Sequence, residues 1–160
     1  MILYHGSTGS KENPEIRPYS AGRDFGTGFY CTNIRTQAEK WAFREARLRK
    51  QAAILYLYEF DIDDVQINLN MKTLPNFSQE WMELVINCRK NFQYDHGYDI
   101  VCGRIANDDI GETVQTVLEG FIPLDTALRK LEYMSSQNQY CFCTERSLEK
   151  LSLIQCIELE

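Results

Sequence analysis

With 160 residues, 44% of them hydrophobic and 25% charged, the chain has the make-up of one domain with a core of its own. A formal net charge of −6 argues against broad, non-specific nucleic-acid binding, which needs a cationic surface. No apolar run reaches the ~18 residues of a membrane span, and no secretory signal precedes the first strand. Free thiols without an export signal point to a cytoplasmic protein with no membrane partner. The six cysteines form no C-x-x-C pair and the histidines number two, so no metal is expected.

The chain opens on a strand at residues 2–4 that ends at His5-Gly6-Ser7. Residues 8–23 carry Gly9, Pro14, Pro18 and Gly22 and read as a loop able to cover a site. Asp24-Phe-Gly-Thr-Gly-Phe-Tyr30-Cys-Thr32 is the stretch on which the reading turns. Gly26 and Gly28 allow positive φ or close approach to another group. Phe29 and Tyr30 are neighbours on a strand at 27–32, so their rings point to opposite faces. One reading is a tight turn with two core aromatics; the other gives one ring to the core and one to a pocket.

Thr36-Gln-Ala-Glu39 matches a capping box and predicts a helix over 36–51 that contains Trp41. Lys40, Arg44, Arg47, Arg49 and Lys50 make it basic, either as a solvated face or as a patch for a phosphate or acidic partner. Residues 53–60 are the clearest strand. Residues 61–75 read as a connection with Val65 and the 67–69 segment packing inward. Ser78 caps a helix over 79–90, with Trp81, Leu84, Val85 and Cys88 on one face and Trp81 in the core. A strand at 98–102 leads into Ile105-Ala-Asn107-Asp108, and helices are expected at 111–118 and 124–134. His96 reads as a loop histidine. A strand at 139–144, a short helix at 145–151 and a strand at 153–159 complete the chain. Cys102, Cys141 and Cys143 read as small buried hydrophobes. Irregular interleaving of strands and helices predicts an α+β fold. A dinucleotide-binding βαβ unit is a weak alternative: the glycines lack G-x-G-x-x-G spacing and a strand follows them.

Three separated pieces line up: Tyr4-His5-Gly6-Ser7, Gly26-Thr-Gly28-Phe-Tyr30 and Asn138-Gln139-Tyr140. Together they resemble the ADP-ribosyltransferase fold of the diphtheria-toxin and poly(ADP-ribose) polymerase type. Over nearly its whole length the chain looks like a bacterial family of ADP-ribosyltransferase-like domains with Asp-Phe-Gly-x-Gly-Phe-Tyr, Gln-Ala-x-x-Trp-Ala and Ile-Ala-Asn-Asp pieces. The resemblance implies a split β-sandwich of two small sheets with flanking helices, with NAD as substrate. It implies that His5 holds the adenosine ribose, that the Gly6 backbone holds the nicotinamide carboxamide, and that Tyr30 stacks on the nicotinamide. Trp41 falls at the second stacking position, and Gln139 falls where those enzymes place a catalytic glutamate.

The chemistry agrees with these roles. A nicotinamide ring is flat and cationic, so aromatic walls attract it. Glutamine accepts a hydrogen bond from the ribose 2′-hydroxyl but brings no charge to an oxocarbenium-like state, a loss on the order of 10²–10³ in rate. The acids placed to substitute are Asp24, Asp108, Glu112 and Glu145, with Asp108 preferred; an ordinary capped turn is its alternative. Arg17 and Arg23 suit a pyrophosphate, and Asn107 a ligand hydroxyl. The expected catalytic set is Gln139, Tyr30, His5 and Asp108. The expected NAD-binding set is His5, Gly6, Ser7, Arg17, Asp24, Gly28, Phe29, Tyr30, Thr32, Trp41 and Asn107.

Three functional classes follow. The first is a transferase that moves ADP-ribose onto a protein side chain or a nucleic-acid base; by analogy it is a toxin or defence effector with a cognate antitoxin protein as partner. The second is a non-enzymatic NAD-binding or nucleotide-binding module, favoured by Gln139. The third is a purely structural interaction domain, against which the exposed glycine–aromatic geometry argues.

Overall fold

A computed structural model describes residues 1–9, 14–16 and 23–160. The chain folds as α+β, with two small sheets and flanking helices. The strands are β1 (Ile2–Thr8), β2 (Phe29–Cys31), β3 (Ala53–Phe60), β4 (Met71–Leu74), β5 (Ile100–Arg104), β6 (Asn138–Phe142) and β7 (Leu151–Leu159). The helices are α1 (Arg35–Arg49), α2 (Ile62–Asn68), α3 (Gln79–Lys90), α4 (Asp108–Leu118), α5 (Leu124–Leu131) and α6 (Glu145–Leu148). One sheet runs β1-β3-β7 and the other β2-β6-β5-β4. All pairs are antiparallel except β4 with β5. The sheets meet at a bridge between Tyr4 and Thr32, whose amides and carbonyls exchange bonds of 2.7 and 2.9 Å.

The core has two parts. Between the sheets lie Leu3, Phe29, Tyr56, Tyr58, Phe60 and Phe142. Behind the second sheet, Phe25, Val101 and Cys141 pack against Trp81, Val85, Val114 and Leu131 from α3, α4 and α5. Trp81 is fully buried, and its indole N–H is satisfied by the Arg104 carbonyl at 2.9 Å. Phe29 belongs to the first cluster and Tyr30 packs on the second, as opposite faces of a strand require. Gly26 takes φ 81°, and a Cβ on Gly28 would lie 2.5 Å from the Cys141 sulfur, so both glycines are needed to seat β2 on β6.

Several expectations are corrected. The α1 helix starts one residue earlier than its sequence signal, and no capping box forms at Thr36. Ile34 is the N-cap without a side-chain bond, and Glu39 pairs with Arg35 at 2.7 Å instead. Thr32 organises this start, its hydroxyl accepting from the Ile34 amide and donating to Gln37. A capping box does form at α6, between Thr144 and Ser147. Residues 61–75 are not a bare connection but hold α2 and β4. Asp61 caps α2 by accepting from the Asp63 and Asp64 amides. Val65 is buried as expected, whereas Ile67 is 82% exposed because α2 turns it to solvent. Cys143 is only half-buried, unlike Cys102 and Cys141.

Candidate functional site

Strand alternation sets the first wall of the site. Tyr4 turns its backbone toward Thr32, away from β3, so Gly6 two residues on turns its N–H and C=O to the same edge. Gly6 is also where α1 comes closest to β1. A Cβ there would stand 1.9 Å from the Ala38 carbonyl oxygen, and the small side chains of Ala38 and Ala42 complete that approach. His5 points the opposite way, against Phe29 with ring centroids 4.2 Å apart. Its Nδ1 lies 2.7 Å from the Tyr30 carbonyl oxygen. A carbonyl only accepts, so Nδ1 carries the proton, and in the neutral ring Nε2 is an acceptor.

Tyr30 is held at its tip. Its hydroxyl donates to the Gly26 carbonyl at 2.6 Å and accepts from the Phe25 amide at 3.1 Å. Burial pushes the phenol far above its ordinary value, so it stays neutral. Across from it stands Trp41 of α1, 41% exposed. The Arg23 guanidinium carbon lies 5.2 Å from the Tyr30 ring centroid and 5.8 Å from that of Trp41. A flat cation is thus held against two aromatic faces. Arg44 approaches the Trp41 ring as well, at 5.5 Å.

Gln139 on β6 stands opposite Gly103 of β5. Its Nε2 donates to Asp24 Oδ2 at 3.1 Å. A carboxylate can only accept, so this contact fixes the amide orientation and leaves Oε1, on the other branch, as an acceptor. Asp24 is itself saturated. Arg89 donates to Oδ1 through Nε at 3.0 Å and Nη2 at 2.6 Å, and the Ala106 amide donates to Oδ2 at 3.0 Å. Asp24 is 9% exposed and its charge is matched by Arg89. Asp24 is therefore one half of an ion pair that also holds the Gln139 amide, not a free acid. Arg89, at the end of α3, is the member of this cluster that sequence reasoning missed. Its nearest signal was a basic residue in the last turn of a helix, which usually serves the helix dipole.

The Ala106 amide carries the next segment to the same place. Asn107 and Asp108 follow it, both exposed, at the start of α4. Asp108 takes φ 47°, a left-handed conformation that costs a non-glycine residue about 1 kcal/mol or more.

One cleft of about 770 Å³ is lined by every described residue singled out from sequence as catalytic or NAD-binding: His5, Gly6, Ser7, Asp24, Gly28, Phe29, Tyr30, Thr32, Trp41, Asn107, Asp108 and Gln139. Arg23 lines it too. The Thr32 hydroxyl is spent on the start of α1, and Phe29 is largely core. Arg17 lies outside the described residues. Neither Glu112 nor Glu145 lines the cleft. Among the described residues, no group of three metal-ligating side chains comes together, and no helix is long and apolar enough to cross a membrane.

The fold and cleft define a two-sheet α+β domain with a cleft at the seam between its sheets. The chain belongs to the DUF3990 family, described as a protein of unknown function, whose model matches residues 1–153. No curated protein matches the chain.

Proposed function

We propose that this protein is an ADP-ribosyltransferase that binds NAD in the cleft and moves ADP-ribose onto a macromolecular acceptor. The observation that carries the reading is the Tyr30–Trp41 slot, where a planar cation already rests against both rings. A nicotinamide ring is another planar cation and would displace Arg23 toward solvent and the phosphates. The Gly6 backbone edge then pairs with the carboxamide, which has the donor and acceptor of a peptide. His5 Nε2 and Gln139 Oε1 both accept from ribose hydroxyls. In the reaction the bond between ribose C1′ and the nicotinamide nitrogen breaks, and the electron pair leaves with nicotinamide. A nucleophilic atom of a protein side chain or nucleic-acid base bonds to C1′ and gives its proton to solvent. Asp108 is the acid whose charge opposes the developing cation, since Asp24 is neutralised by Arg89.

Purified protein incubated with radiolabelled NAD and a cell lysate tests this reading. Label in the protein or nucleic-acid fraction, lost in Tyr30→Ala and in Asp108→Asn, is the expected result. Absence of transfer with calorimetric NAD binding intact supports a second reading, an NAD-binding module without turnover. The neutral Gln139, backed by an ion pair of no net charge, favours that module. A toxin or defence role, with a cognate antitoxin, belongs to the transferase reading alone. Neither label nor binding rejects both.

A further inference from the structure

A second cluster of reactive groups lies outside the cleft, at the far end of β6. Cys141 and Cys143 are two residues apart, and their sulfurs are 3.4 Å apart. Same-face residues of a regular strand stand farther apart than this at the backbone, so both side chains lean together. The Cys143 sulfur is also 3.7 Å from His96 Nε2. The Tyr98 amide donates to His96 Nδ1 at 3.1 Å, which places the neutral ring's proton on Nε2, facing Phe25 O and Cys143. Cys143 is half-buried; Cys141 is buried.

The two thiols differ in character. Hydrogen bonding from Cys141 and from His96 holds the Cys143 thiol down at about 6, against the effect of burial. Burial pushes Cys141 well up, and Cys88, which also feels Cys143, up to about 12. Asp99, whose carboxylate accepts from Arg146 and Thr144, works the other way and raises the Cys143 thiol. One half-buried thiol that its neighbours lower therefore sits against one buried thiol that burial raises, the pairing that peroxide chemistry exploits.

We propose that Cys141 and Cys143 form an oxidisable dithiol, in which Cys143 reacts first with hydrogen peroxide and Cys141 resolves it to a disulfide. The Cys143 sulfur attacks one peroxide oxygen. An S–O bond forms, the O–O bond breaks, and the leaving hydroxide takes a proton to become water. The Cys141 sulfur then attacks the sulfenic sulfur, the S–S bond forms, and hydroxide leaves with the Cys141 proton as a second water. Two thiols are oxidised by two electrons in total and one peroxide is reduced to two waters. The pair lies behind the Tyr30 turn. Phe25 accepts from His96 at 3.0 Å through its carbonyl, which is also 4.0 Å from the Cys141 sulfur, and its amide reaches the Tyr30 hydroxyl.

The full chain is treated with one equivalent of hydrogen peroxide at pH 7 and read by intact and peptide mass spectrometry. The expected product is a loss of about 2 Da in the tryptic peptide that contains both cysteines, reversed by dithiothreitol. Cys141→Ser is expected to stop at the sulfenic acid, a gain of about 16 Da trapped by dimedone. Cys143→Ser is expected to slow peroxide consumption on the order of tenfold. A measurement on the unmodified chain needs no variant: iodoacetamide labels Cys143 at least several-fold faster than the exposed Cys156. Labelling of Cys156 as fast as Cys143, or a disulfide from Cys143 to Cys88, overturns the proposal.

Discussion

Replacing Gln139 by glutamate looks from sequence like the restoration of a missing acid, and the structure says otherwise. The new carboxyl would stand about 3.1 Å from Asp24 Oδ2, where the amide now donates. At an effective dielectric near 20, two like charges at that separation repel by about 5 kcal/mol. Arg89, 2.6 Å from the other Asp24 oxygen, offsets part of this. A net penalty of about 2–3 kcal/mol remains, and it raises the introduced carboxyl above its unfolded value. The folded state then holds a proton that the unfolded state has released, so stability falls as pH rises. Gln139→Glu therefore costs little stability at low pH, where the carboxyl is protonated in both states, and carries the full penalty once it is ionised in both. Urea unfolding of both proteins at pH 4, 6 and 8 reads the difference directly. The penalty at pH 8 is expected to exceed that at pH 4 by about 2 kcal/mol. Equal penalties at the two extremes would refute the Asp24–Gln139 contact. The introduced carboxylate is charged at neutral pH, so any gain in NAD cleavage by the single change is expected to come together with this loss of stability.

Tyr30→Phe leaves the Phe25 amide and Gly26 carbonyl without their partner and should cost about 1–3 kcal/mol in denaturant unfolding, while the retained ring keeps calorimetric NAD affinity within a few fold. Gly6→Ala drives a methyl into the Ala38 carbonyl and should destabilise by about 3 kcal/mol or more, read as a fall in melting temperature. Asp99, 2% exposed, is lowered to about 2 by its hydrogen bonds to Arg146 first, and to Asn70 and Thr144. A depressed carboxylate stabilises above its unfolded value, so Asp99→Asn should cost about 2 kcal/mol at pH 7. That difference should shrink as pH falls from about 4 toward 2, followed by acid titration of both proteins.

The strands and helices with dense apolar patterning were legible from sequence. Residues 53–60 form β3 and 79–90 form α3 with the expected bounds, because branched and aromatic runs and a Ser78 cap carry their own signal. The pieces that escaped are short. Asp61 announces α2 with its carboxylate, but seven residues with one buried side chain make no periodic pattern. Met71–Leu74 is a strand only because β5 lies beside it in parallel. In the site, Tyr30, Trp41 and Gln139 were singled out by the family resemblance, and the structure brings the three to one cleft. The Asp24–Arg89–Gln139 arrangement was not, since it joins residues 65 and 115 positions apart whose meeting depends on the packing of α3 behind β6. Asp108 was visible as an acid, but its left-handed backbone is a property of the turn from β5 into α4.

The order of strands has a consequence for how the chain acquires its shape. The first sheet joins residues near 2–8, 53–60 and 151–159, and the second draws its strands from the stretches between them. During synthesis neither sheet is complete until most of the chain has emerged: β6 closes the second late, and β7 closes the first last. Pairings this distant in sequence carry a high loop-closure cost before they gain contacts, so folding is expected on the slow side for a domain of this size. A cut anywhere between β2 and β6 breaks both sheets at once, and the cleft, built at the seam of both, needs strands from either side of it.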